Sequence, residues 1–200
     1  MQNIGLFGGT FNPIHLGHLI IANEVLESLR LDKIIFIPTG VPPHKDIGVV
    51  KGKHRFEMVK LAIEDNPYFE VSDIEIKRLD YSYTYDTLKE LQKIYYVNKF
   101  RFIIGYDAFL EIDSWKNVKE VFKMAQFVVV NRNVESREML KLIEEKCNKF
   151  DGEAIYLKVP NIEISSTEIR KRINEGKSIK YLLPDKVIDY IQKNDLYRGD

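Results

Sequence analysis

Apolar residues fall along this chain in two rhythms. Unbroken runs, such as Ile-Gly-Leu-Phe at 4–7, Ile-Ile-Phe-Ile within 33–38, Phe-Ile-Ile within 101–105 and Phe-Val-Val-Val within 126–131, read as strands covered on both faces. Residues 69–72 give a further short strand. The run at 154–159 mixes apolar with polar residues and reads as an edge strand. Between the runs, apolar positions recur at helical spacing: Leu19, Ala22, Leu26 and Leu29; Phe56, Val59 and Ile63; Leu88, Leu91 and Tyr95; Leu140, Ile143 and Cys147. Thr84 is a candidate cap for the third of these helices, and Ser165 with Glu168 forms a capping box for another that stops near Gly176. Pro184 opens a last helix. Strands alternating with helices predict an α/β fold: a Rossmann-like, doubly wound, mostly parallel sheet of five to six strands with helices on both faces. With no internal repeats, low-complexity tracts or linkers, residues 1–200 are expected to form a single domain.

Charge and composition narrow the partners. Lysine plus arginine equals aspartate plus glutamate, at 30 each. No global basic field draws the chain to nucleic acid or to an anionic membrane, so neither is an expected partner. One cysteine excludes an internal disulfide framework and fits a reducing cytoplasm, the expected location. No signal peptide is read at the start, where cleavage would destroy a glycine turn. Apolar runs are too short to span a bilayer. Oligomeric state is open, a homo-oligomer included.

The chemistry concentrates where the first strand meets the first helix. Gly8 and Gly9 let the backbone approach a ligand, and free N–H groups at a helix start favour an anion. His15 and His18 share a helix face, with Gly17 leaving space between them, and two imidazoles there can donate to phosphate oxygens. Neither His44, His54 nor Cys147 adds metal-ligand spacing, so no protein-held metal is expected. Later stretches each admit a plain and a functional reading. His44 and Lys45 are either a solvated loop tip or a donor and a cation beyond a strand end. Arg55 belongs to a solvated basic face or reaches into the site. The tyrosines around Thr84 pack, or frame a helix start that holds an anionic group. Asp107 caps a helix or meets ribose hydroxyls, and Trp115 is core or a stacking plate. Ser165, Ser166 and Thr167 place three hydroxyls at a positive helix end with Arg170 one turn on, which suits a di- or triphosphate.

Gly8-Gly-Thr-Phe-Asn-Pro-Ile-His-Leu-Gly-His18 resembles the signature of the nucleotidyltransferase superfamily. Pro42-Pro-His-Lys45, Ser82-Tyr-Thr-Tyr-Asp-Thr-Leu88, Ile104-Gly-Tyr-Asp107 with Trp115, Ile164-Ser-Ser-Thr-Glu-Ile-Arg170 and Tyr181-Leu-Leu-Pro184 narrow the resemblance to the bacterial nicotinate-nucleotide adenylyltransferases, in that family's order. The resemblance implies transfer of the adenylyl group of ATP to nicotinate mononucleotide, giving deamido-NAD and pyrophosphate, with Mg²⁺ carried by ATP. It implies catalytic roles for His15, His18, Lys45 and Arg170. ATP contacts are implied for Gly8, Gly9, Thr10, Phe11, Gly105, Asp107, Arg132, Ser165, Ser166 and Thr167. Acceptor contacts are implied for His44, Arg55, Thr84, Asp107 and Trp115. The chain departs from the family pattern at Asn12, where many members have Asp, at Lys116, where an aromatic is common, and at Arg132-Asn133, where an Arg-Pro-Gly turn is usual. The rival readings are an adenylyltransferase for another phosphorylated acceptor, such as pantetheine phosphate or nicotinamide mononucleotide, and a non-catalytic nucleotide sensor.

Overall fold

The computed structural model describes residues 2–41, 49–131 and 136–198. The apolar runs become strands β1 (Ile4–Gly9), β2 (Lys33–Pro38), β3 (Phe69–Val71), β4 (Phe100–Gly105), β5 (Ala125–Asn131) and β6 (Ala154–Lys158). They pair in the order β3-β2-β1-β4-β5-β6, and every pairing is parallel. Strand order runs outward in one direction from β1 and in the other from β4. The reversal between them opens a crevice at their carboxyl ends, where such sheets bind ligands.

Eight helices connect and flank the strands among the described residues: α1 (Leu16–Ser28), α2 (Gly52–Ile63), α3 (Thr84–Ile94), α4 (Tyr106–Leu110), α5 (Val118–Met124), α6 (Arg137–Phe150), α7 (Ser166–Asn174) and α8 (Asp185–Lys193). Successive strand residues point to opposite faces, which explains the unbroken apolar runs. Phe7, Ile34, Phe36, Ile103, Val128 and Val130 pack with residues of α1, α2, α7 and α8. Leu6, Ile35, Ile37, Phe102, Ile104, Phe127 and Val129 pack with residues of α3 to α6. β6 is half-buried and pairs with β5 alone, as its mixed composition predicts.

Three helix readings change. Leu140 is exposed, and α6 buries Met139, Ile143 and Phe150 instead. α2 buries Arg55 and Met58 beside Val59 and Ile63, leaving Phe56 half-buried. α3 starts at Thr84 itself, with Tyr83 as its cap residue.

Candidate active site

At the carboxyl end of β1 the chain turns through Thr10–Pro13 into α1, with Phe11 in the left-handed region at φ 47°. His15 is the N-cap residue of α1. Its main-chain N–H donates to His18 Nδ1 at 3.2 Å, and its carbonyl accepts from His18 N at 2.9 Å. The two imidazoles stack with centroids 3.7 Å apart. A Cβ on Gly17 would lie 3.1 Å from His15 Nδ1, so the glycine is the space in which that ring sits. His15 is buried, and His18 reaches the cleft. Because Nδ1 of His18 accepts a hydrogen bond, the neutral ring carries its proton on Nε2. Leu16 N, a first-turn amide of α1, is taken by Leu182 O at 3.0 Å. That is a role for the Tyr-Leu-Leu-Pro segment that spacing does not reveal.

The start of α7 faces the same turn. Ser165 caps it by accepting from Glu168 N at 3.2 Å. Ser166 Oγ donates to Pro13 O at 2.8 Å, and Arg170 Nη1 donates to Asn12 O at 2.8 Å, with Nη2 3.4 Å from Thr167 Oγ1. The buried Ile169 anchors this helix on the core. Thr10, Phe11, Asn12, His18, Val49, Ser166, Thr167 and Arg170 together line a polar cleft of about 370 Å³. Residues far apart in the chain thus converge on one anion-sized recess, with hydroxyls, a guanidinium and an imidazole around it. His44, Lys45 and Arg132 lie outside the described residues.

A second, more apolar cleft opens on the other side of the β1 end. Gly8, Gly9, Thr10, Thr39, Ser82, Thr84, Gly105 and Trp115 are among its walls. It continues past Trp115 toward Tyr83, Glu111 and Lys116. Trp115 follows a 3-10 turn, Ile112–Ser114, and meets Phe102 and Phe127 edge-on at 5.8 and 6.1 Å between centroids. A Cβ on Gly105 would meet nothing within 4 Å, so that glycine borders open space rather than packed protein. Asp107 is exposed in the first turn of α4 and is not among the cleft-lining residues.

Arg55 is placed differently from the expectation that it contacts the acceptor. It is 2% exposed and donates Nε to Val50 O at 3.1 Å, Nη1 to Thr10 O at 2.9 Å and Nη2 to Gly40 O at 3.0 Å. Burial lowers its pKa from the ordinary arginine value, while Tyr197 and Glu75 act in the opposite direction. It braces the loops around the site from behind. Glu75, which nothing in the sequence singles out, is buried and lines the second cleft. Burial pushes its carboxyl up, opposed by Thr87, whose Oγ1 donates to Oε1 at 2.7 Å, and by Arg78, Gly40 and Ser82. Asn12 ties the turn after β1 to distant parts of the chain: its Oδ1 accepts from Tyr197 Oη at 2.9 Å and from Val50 N at 3.2 Å.

Residues 6–172 match the cytidylyltransferase-like family. A protein of Thermoanaerobacter sp. is 50% identical over 204 residues, covering 98% of this chain and 95% of its own, and one of Desulfitobacterium hafniense is 46% identical over 200 residues, covering 98% and 96%. Both carry the name "Probable nicotinate-nucleotide adenylyltransferase". The chain belongs to the nicotinate-nucleotide adenylyltransferase family. A solved structure of Plasmodium falciparum nicotinic acid mononucleotide adenylyltransferase complexed with NaAD superposes with a TM-score of 0.80 at 23% identity, covering 98% of each chain. Such a likeness, below 25% identity, speaks for the shared fold. In this family's sheet, the two clefts flank the switch point between β1 and β4.

Proposed function

We propose that this enzyme joins ATP to nicotinate mononucleotide, giving nicotinate adenine dinucleotide and pyrophosphate, a step of NAD biosynthesis. The observation that carries the reading is that Thr10 lines both clefts. A hydroxyl-rich, cationic recess for a triphosphate therefore meets a more apolar recess for a mononucleotide at the end of β1.

A phosphate oxygen of the acceptor attacks the α-phosphorus of ATP. The bond from the α-phosphorus to the bridging oxygen breaks, and its electron pair leaves with pyrophosphate. The attacking phosphate is already anionic, so no general base is required, and catalysis rests on positioning and charge stabilisation. His18 Nε2–H is assigned to the α-phosphate, with His15 stacked behind it. Ser166, Thr167 and Arg170 are assigned to the departing phosphates, and Lys45 to the transferring group. Thr84 and Trp115 are assigned to the nicotinate ring. Among the described residues no group of three His, Cys, Asp or Glu side chains could hold a metal ion. Mg²⁺ is assigned to the oxygens of ATP as part of the substrate.

Pyrophosphate release with ATP and a panel of acceptors tests this. The expected result is turnover with nicotinate mononucleotide, preferred over nicotinamide mononucleotide by at least ~100-fold in kcat/KM, because donors that pair with the acid are left unpaired by the amide. Preference for pantetheine phosphate, or no turnover with any phosphorylated acceptor, would defeat the assignment.

A further inference from the structure

The acceptor assigned above is an acid, yet the charged residues lining the second cleft and its extension are mostly acids too. Glu75 and Glu111 contribute carboxyl groups, and among the described lining residues Lys116 is the single cation. Lys116 directly follows Trp115 and lines the extension of the cleft together with Thr84, the first residue of α3. Its Nζ lies 2.9 Å from Asp86 Oδ2 and 4.6 Å from the centroid of the Tyr83 ring. Tyr83, Thr84 and Asp86 are the cap and first turn of α3, so the ammonium lies beside a helix start.

We propose that Lys116 is a specificity-determining residue that reads the carboxylate of the acceptor. The proposal rests on the adenylyl-transfer reading and goes beyond it by naming the cation that selects the acid. The ammonium has three donors and can hold Asp86 and an incoming carboxylate together. The Lys116 side chain is 43% exposed and that of Asp86 34%, and such a pair is held weakly enough for a second carboxylate to share it. The positive end of α3 adds in the same direction. An amide in place of the acid gains nothing from the ammonium. Lys116 thus favours one acceptor and not the other.

Asp86 separates this role from simple bracing. As a brace, the Lys116–Asp86 pair would be damaged alike from either end. As a reader of charge, Lys116 is partly neutralised by Asp86, so the two substitutions act in opposite directions. Asp86→Asn keeps an oxygen to accept from the lysine while removing the competing charge.

The test measures kcat/KM for nicotinate mononucleotide and nicotinamide mononucleotide in the unmodified enzyme, Lys116→Gln and Asp86→Asn, with KM for ATP and the thermal midpoint as controls. Lys116→Gln is expected to lower the acid-to-amide ratio about fivefold, through KM of the acid, while Asp86→Asn raises it severalfold. ATP affinity and the midpoint stay unchanged. A ratio unmoved by Lys116→Gln, or lowered alike by both substitutions, overturns the proposal. Failure of the unmodified enzyme to use nicotinate mononucleotide at all would overturn the adenylyl-transfer reading and this proposal with it, and is seen before any variant is compared.

Discussion

At the scale of single residues, one hydrogen bond shapes the use of the histidine pair. His15 N donates to His18 Nδ1, which leaves Nε2 as the protonated nitrogen of the neutral ring at the polar cleft. The His15 ring stacks behind it at 3.7 Å and fills the space over Gly17, where a methyl group would press on Nδ1 at 3.1 Å. The two histidines are therefore not equivalent: His18 lines the cleft, and the buried His15 backs it. A donor aimed at charge that develops during transfer contributes more to the transition state than to the ground state. His18→Ala should accordingly lower kcat by about 3 kcal/mol of barrier, roughly a hundredfold, with a much smaller change in ATP affinity. Steady-state kinetics beside direct ATP binding checks this, and turnover within a few-fold of the unmodified enzyme would sink the assignment.

At the scale of elements, the start of α7 is docked on the turn after β1 by Ser166 to Pro13 O and Arg170 to Asn12 O. The Arg170 fork also spans to Thr167 Oγ1. A lysine offers a point charge without a planar fork, so it cannot hold the turn and face a phosphate in the same geometry. Arg170→Lys should reduce kcat/KM for ATP at least ~10-fold, and a fully active lysine variant would remove the guanidinium from the mechanism. Strands, their parallel setting and the Ser165 cap were legible in the sequence, because each rests on local pattern or local hydrogen bonding. The seven-residue α5 was not, since two turns are too short for Val118, Val121 and Phe122 to establish a repeat. The burial of Arg55 was not legible for a different reason: charge normally marks a solvated face, and only the tertiary fold brings three backbone carbonyls to its guanidinium. Glu75 was hidden likewise, since its partner Thr87 lies on another element. Lys116 stood out as a departure from the family pattern, but its pairing with Asp86 needed the fold.

At the scale of the whole molecule, the end of the chain holds its beginning. Tyr197 is 3% exposed, sits in the left-handed region at φ 64°, and brings its hydroxyl 2.9 Å from Asn12 Oδ1, a separation of 185 residues in sequence. A non-glycine residue keeps such a backbone conformation only where its surroundings fix it, and here the fixed ring packs in the core shared with Phe7, Phe11 and Val187. Asn12 meanwhile presents its carbonyl to Arg170 and its side-chain oxygen to Val50 N, which lies just beyond residues 42–48. The hydroxyl thus bears on the residue that seats the Arg170 guanidinium. Tyr197→Phe keeps the ring and removes only the hydroxyl, so unfolding by denaturant should show a loss of about 1 kcal/mol. Tyr197→Ala empties the ring's place and should lose roughly 3–5 kcal/mol. If the hydroxyl only stabilised the fold, the phenylalanine variant would turn over normally at temperatures where it is folded. Because Asn12 also positions Arg170, we expect its kcat to fall severalfold under those conditions, with acceptor KM little changed. Unchanged turnover in folded Tyr197→Phe would reduce the contact between the chain's two ends to a matter of stability alone.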